Sequence, residues 1–87
     1  MLKATLNAQG LTTRKAAHAA IAEALQFPDY YGGNLDALYD MLTTIEAELT
    51  LVNAPALMAQ LEGYGMRLLR TMEEAAQENP SFILRMK

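Results

Sequence analysis

The side chains best suited to chemistry lie between residues 29 and 43. Carboxylates, phenols and a hydroxyl recur there among apolar residues: Asp29, Tyr30, Tyr31, Asp36, Tyr39, Asp40 and Thr43. Carboxylates in such a cluster can bind a divalent cation, transfer protons, or pair with the cations of a protein partner. The chain has no cysteine, which excludes thiolate metal sites, cysteine nucleophiles and disulfides. Its single histidine, His18, argues against a Ser-His-Asp triad and is interpreted as a surface or half-buried structural residue.

Most of these residues fall on one predicted helix. Asn34 is a good N-cap, and the helix is expected to end near Ile45. At about 100° per residue, one side of the helix is apolar, and another side carries Asp36, Tyr39, Asp40 and Thr43. Asp36 suits the helix dipole, whereas Asp40 is mid-helix, has poor helix propensity and lies one turn from a like charge. This favours a binding role for Asp40, with a tolerated surface acid as the alternative.

Charge is distributed unevenly along the chain. Residues 16–66 contain seven acids and no Lys or Arg, a local net charge of −7 against +4 elsewhere. Such a surface disfavours nucleic-acid phosphate and anionic lipid and favours a basic partner. An ordinary solvated acidic surface is the alternative interpretation.

The length of 87 residues predicts a single domain, residues 1–87. The apolar runs are too short to cross a bilayer, and the first ten residues contain no apolar signal-peptide region, so a cytoplasmic location is expected.

The periodicity and the capping residues predict an α/β fold in the order β-α-α-β-α-α-β. The predicted strands are 2–7, 48–53 and 82–84, and the predicted helices run from Thr12 or Thr13 to about 26, from Asn34 to about 45, and over 55–62 and 64–78. Strands joined by two-helix crossovers imply a small three-stranded parallel sheet packed with helices. We expect the first strand at its centre, giving the order 2-1-3.

The segment FPDYYGGNLDALYDMLTT, residues 27–44, resembles the hallmark of the barstar family of ribonuclease inhibitors. The shared pattern is an apolar residue, Pro, an acid, Tyr-Tyr-Gly-x-Asn-Leu-Asp-Ala-Leu, an aromatic and Asp. Glu74, Ala75 and Glu78 match a second, shorter family pattern in the fourth helix. The aromatic before Asp40 is Tyr39, where the family commonly has Trp.

The resemblance implies a non-enzymatic inhibitor that needs no metal or cofactor. It would be a monomer when free and bind 1:1 to a basic microbial ribonuclease or a ribonuclease toxin domain. Asp40 would mimic substrate phosphate, Asp36 would pair with a basic residue, and Tyr30 would pack over the catalytic His. The loop would be shaped by Tyr31, Gly32 and Asn34. The central contact made by Asp40 would be flanked by Tyr39 and Thr43, and Glu74 would reach a peripheral Arg of the enzyme.

Two other classes of function remain open from the residues themselves. Asp29, Asp36 and Asp40 could form a metal or acid–base site of an enzyme, if a further ligand converged on them. Tyr30, Tyr31 and Tyr39 could instead form the contact patch of a generic interaction domain or a homodimer. For Glu74, the alternative is an ion pair with Arg70 one turn earlier on its own helix.

Overall fold

The computed structural model describes residues 1–87 as a three-stranded sheet and four α-helices. In chain order the elements are β1 (Leu2–Asn7), a 3₁₀ turn (Ala8–Gly10), α1 (Arg14–Ala24), α2 (Leu35–Leu42), β2 (Ala47–Val52), α3 (Pro55–Leu61), α4 (Gly63–Glu78) and β3 (Phe82–Met86). The predicted α/β class and element order are confirmed. None of the four helices has the length and apolarity needed to cross a lipid bilayer.

Local capping explains where the helices begin and end. Thr13 Oγ1 accepts a hydrogen bond from the Ala16 N–H at 3.0 Å, and Pro55 occupies the first turn of α3. Helix α2 ends at Leu42, three residues before the predicted boundary. The Thr43 hydroxyl donates to the carbonyls of Tyr39 and Asp40, both at 3.0 Å, and so provides a hydrogen-bond donor to carbonyl groups in the last turn of the helix.

The predicted strand order 2-1-3 was wrong. The sheet is parallel with the order β1-β2-β3, so β2 is central, and Ala47 pairs with Leu2 on one side and Phe82 on the other. Right-handed crossovers that advance in one direction place all the helices on one face of the sheet, whereas the order 2-1-3 would cover both faces. Strands β1 and β2 alternate apolar and polar residues over most of their length, which favours burial of one face only.

The core lies between that apolar face and the helices. Leu49, Leu51 and Phe82 from the strands are fully buried with Leu38 of α2 and Leu68 of α4. The opposite side, called here the open face of the sheet, consists of exposed or half-buried residues: Lys3, Thr5, Glu48, Thr50, Ile83 and Arg85. Helix α2 packs against α4, so its apolar side is committed to the core and its other side faces outward.

Candidate partner-binding site

The acidic residues of the loop and α2 are exposed and unpaired. We define the acidic surface as Asp29, Tyr30, Asp36 and Asp40. All three carboxylates are exposed, and none of them accepts a hydrogen bond or lies in an ion pair. The one ion pair of the chain is Arg85 to Glu48, on the open face of the sheet. The charge of the acidic surface is therefore available to a partner.

The structure brings Tyr30 and Asp40 together although they lie on different elements. Both line a shallow cleft of about 170 Å³ between the loop and α2, with Gly32 and Met41 among its walls. Tyr30 is 83% exposed, so its ring is free to contact another molecule. Asp36 does not line this cleft; it lines a second one, together with Asn34.

Two residues shape the path from the loop into α2. Gly33 has a φ of 68°, a left-handed conformation that favours glycine. Asn34 then caps the helix, because its side-chain oxygen accepts from the Ala37 N–H at 2.8 Å. The N-cap predicted at Asn34 is confirmed, and it fixes where Asp36 and Asp40 begin their helical spacing.

Beneath the loop lies a hydrogen-bonded triplet, called here the His18 anchor: buried His18 and Tyr64 with half-buried Tyr31. His18 is only 3% exposed, with Nδ1 2.7 Å from the Tyr31 hydroxyl and Nε2 2.6 Å from the Tyr64 hydroxyl. Burial lowers the pKa of His18, so the ring is neutral at pH 7 and one nitrogen donates while the other accepts. Burial, and secondarily the nearby Tyr64, raises the pKa of Tyr31 to about 12.

Tyr31 is thereby held on both sides. Its ring meets the Phe27 ring edge-on, with centroids 4.9 Å apart, and its hydroxyl is bonded to α1 through His18. Two adjacent tyrosines thus have opposite environments. Tyr31 attaches the loop to the core, whereas Tyr30 projects into solvent.

Comparison with known proteins decides the family. The family model described as Barstar (barnase inhibitor) matches residues 1–86. The chain belongs to the barstar family. It is also 36% identical over 81 residues to the Bacillus subtilis (strain 168) protein named "Putative ribonuclease inhibitor YrdF", covering 90% of this chain and 89% of that protein. Family membership supports a role as a ribonuclease inhibitor rather than an enzyme.

The other predicted contact residues differ in how available they are in this barstar-family structure. Tyr39 is half-buried and packs against the core, and the Thr43 hydroxyl is engaged by the backbone of α2. Glu74 is exposed on α4, and the alternative ion pair with Arg70 is not formed. Asp29, Asp36 and Asp40 do not form a group able to hold a metal ion.

Sequence reasoning missed the His18 anchor. His18 was expected at the surface or half-buried, but it is buried. A signal did exist, since His18 lies three residues before Ile21 and seven before Leu25, both on the apolar side of α1. Nothing in the sequence pointed to Tyr64, which reaches His18 from 46 positions away.

A second residue missed by the sequence holds the far end of α2. The Asn79 side chain donates to the carbonyls of Leu42 at 2.9 Å and Ile45 at 2.8 Å. The sequence suggested for Asn79 only the end of α4. In the structure it ties the C-terminus of α2 to the α4–β3 turn, so the helix that carries Asp36 and Asp40 is fixed at both ends.

Proposed function

We propose that this barstar-family chain inhibits a small basic microbial ribonuclease, or the ribonuclease domain of a toxin, by covering its active site in a 1:1 complex. The observation that carries the proposal is the set of exposed, unpaired carboxylates beside Tyr30. The loop that precedes α2 is held to α1 by the hydrogen bond between Tyr31 and His18. A ribonuclease binds phosphate with cations, and carboxylates on a rigid surface offer the complementary charge.

Asp40 is the phosphate mimic in this proposal. It is exposed on the outward side of α2 and lines the same cleft as Tyr30, so one partner surface can reach both side chains. A carboxylate that becomes desolvated among several cations is the kind of contact that dominates binding. Tyr30 packs over the catalytic His of the enzyme and excludes water from the charged contact.

The remaining residues surround that centre. Asp36 pairs with a basic residue of the enzyme, Glu74 of α4 reaches a peripheral Arg, and Tyr39 and Thr43 border Asp40 along α2. Gly32 and Asn34 keep the backbone of the loop in shape, and Tyr31 holds it to the core. Because hydrogen bonds of Tyr31 and Asn34 tie the loop to α1 and α2 before binding, we expect little conformational entropy to be lost when the complex forms.

The chain is proposed to act in the cytoplasm as a free monomer that protects its own cell from the enzyme. The surplus negative charge between residues 16 and 66 disfavours the binding of RNA. The inhibitor is therefore not expected to bind the RNA that its target cleaves. A metal site formed by the three aspartates has no support, since they do not form a group able to hold a metal ion.

The test is inhibition of RNA cleavage by a panel of basic ribonucleases and ribonuclease toxin domains. With the correct target, activity should fall linearly and reach zero at one equivalent of inhibitor, and excess substrate should relieve the inhibition. Gel filtration should show a 1:1 complex. Failure to bind or inhibit any basic ribonuclease, together with self-association of the chain through its tyrosines, would contradict the proposal and favour a homodimer.

A further inference from the structure

A second cleft adjoins the acidic surface and has the opposite charge on one side. It encloses about 390 Å³, and its walls include Arg14, Gly33, Asn34, Asp36, Tyr64 and Arg67. Asn34 and Asp36 come from the start of α2, while the arginines come from α1 and α4. The cleft is therefore continuous with the surface that the proposed function assigns to the partner.

Both arginines in the cleft stack on one aromatic ring. The Arg14 Cζ lies 4.3 Å from the Tyr64 ring centroid, and the Arg67 Cζ lies 5.5 Å from it. Cations are attracted to the face of such a ring. The ring itself is fixed, because the Tyr64 hydroxyl is bonded to buried His18 at 2.6 Å. Two exposed guanidinium groups that line one cleft thus contact the same fixed ring.

Neither guanidinium group has an acceptor within the chain. Arg14 and Arg67 make no side-chain hydrogen bond and no ion pair, the single ion pair being Arg85 to Glu48. Asp36 borders the same cleft, but its carboxylate oxygens lie more than 4.0 Å from both guanidinium groups. The unpaired state is notable in a chain with a net charge of −3. Two cations lining one cleft repel each other, and an anion bound in that cleft would relieve the repulsion.

We propose that Arg14 and Arg67 form a receptor for a carboxylate side chain of the partner ribonuclease, beside the contact made by Asp36. This inference rests on the proposed function. A protein seated on Asp36 also covers the cleft, and covering two guanidinium groups without giving them an acceptor would cost binding free energy. A carboxylate can bridge two guanidinium groups, because each of its oxygens accepts more than one hydrogen bond.

The receptor also gives the acidic surface a means of discrimination. The carboxylates of α2 attract any cationic protein, whereas Arg14 and Arg67 repel one whose surface is basic throughout. The preferred partner is therefore a ribonuclease with a basic active site and an acidic residue at its edge.

The test compares Arg14→Gln and Arg67→Gln with the control Arg70→Gln in binding to the inhibited ribonuclease. Arg70 is exposed on the same helix as Arg67, is unpaired and lies outside the cleft. Each cleft variant should raise the dissociation constant by about 10-fold or more, mainly through faster dissociation. Arg67→Glu should be weaker still, and Arg70→Gln should change binding by less than about 2-fold.

Asp40→Ala in the same assay separates this inference from the proposed function. Loss of inhibition in Asp40→Ala, with cleft variants no different from Arg70→Gln, would uphold the proposed function and overturn the receptor. Arg67 could instead interact with Asp36 of its own chain. Urea unfolding of Arg67→Gln, Asp36→Asn and the double variant distinguishes this structural role from the receptor. Additive effects on stability are expected; coupling would show that Arg67 serves Asp36 of its own chain, and would overturn the inference.

The free chain provides a measurement that needs no ribonuclease. Sodium acetate, with sodium chloride at equal ionic strength as the reference, can be titrated while the arginine Nε–H resonances are followed by NMR. Those of Arg14 and Arg67 should shift together and saturate at one common acetate concentration, and that of Arg70 should not. An equal response from all three arginines, or none, would overturn the receptor even if no ribonuclease in the panel binds.

Discussion

Two polar surfaces of this molecule differ in whether their carboxylates are paired with cations of the same chain. On the open face of the sheet, Lys3 lies directly opposite Glu48 in the strand register, and Arg85 Nε donates to Glu48 Oε1 at 3.0 Å. On the acidic surface, neither Asp36 nor Asp40 has a cation within 4.0 Å. The carboxylate of the open face is paired within the chain, whereas the carboxylates of the acidic surface are not.

We infer that unpaired carboxylates grouped beside an exposed tyrosine indicate a binding surface better than the number of charges does. The Glu48–Arg85 pair joins a half-buried carboxylate to an exposed guanidinium group, and ion pairs that solvent reaches add little stability. Unpaired carboxylates on one helix add slight repulsion and gain nothing within the free chain. The proposed partner would supply the missing cations, and each prediction below tests that contrast.

The largest expected effect is on inhibition. Asp40→Ala should weaken binding to the target ribonuclease by at least about 30-fold, because it removes the carboxylate that replaces phosphate. Glu48→Ala, which removes an acid from the open face, and Glu46→Ala should each change binding by less than about 2-fold. Inhibition constants for the three variants check this. Equal, small effects at all three positions would abolish the contrast between the surfaces.

The contrast also requires that the acidic surface be held rigidly, which is the role of the His18 anchor. Tyr31→Phe leaves a buried nitrogen of His18 without its partner and should lower the free energy of unfolding by about 1 to 3 kcal/mol. Tyr30→Phe, at an 83% exposed position, should alter it by less than about 0.5 kcal/mol. Urea unfolding at pH 7 measures both variants. Equal stabilities would mean that the loop does not depend on the anchor.

A third effect concerns the rate of association. Because residues 16–66 carry −7 without a compensating cation, encounter with a basic enzyme should be steered electrostatically. Raising the salt concentration should slow association by about 10-fold and change dissociation less. Stopped-flow mixing at two ionic strengths tests this, with Glu48→Ala expected to follow the unmodified chain. A flat dependence on salt would show that the unpaired charges do not act at long range.

The smallest effect is on the stability of the free chain, and its sign differs between the surfaces. Asp40→Ala should raise the free energy of unfolding by about 0.5 to 1 kcal/mol, because alanine is the better helix former and the repulsion from Asp36 is removed. Glu48→Ala should lower it by up to about 0.5 kcal/mol, the value of an exposed pair. Urea unfolding at neutral pH decides the signs. A clear loss of stability in Asp40→Ala would indicate a structural role.

Much of the fold was readable from the sequence because its signals are local. A strand is recognised from alternation over six residues, as in Leu2–Asn7, and a helix start from one capping side chain, as at Thr13 and Asn34. The acidic residues of the site were readable for the same reason, since Asp36 and Asp40 are one helical turn apart. Their roles came from the resemblance of residues 27–44 to the barstar family and stay predictions until inhibition is measured.

The sequence by itself determined the elements, the capping of α2 and the excess of acid along it, because each depends on neighbours within a few positions. Only the tertiary structure decided which strand is central, that His18 is buried between Tyr31 and Tyr64, and that Arg14 and Arg67 meet on one ring. Those features join residues up to 53 positions apart, as Arg14 and Arg67 are. Such contacts form only when whole elements pack, and the polar face of the strands, which allows helices on one side alone, decides how they pack.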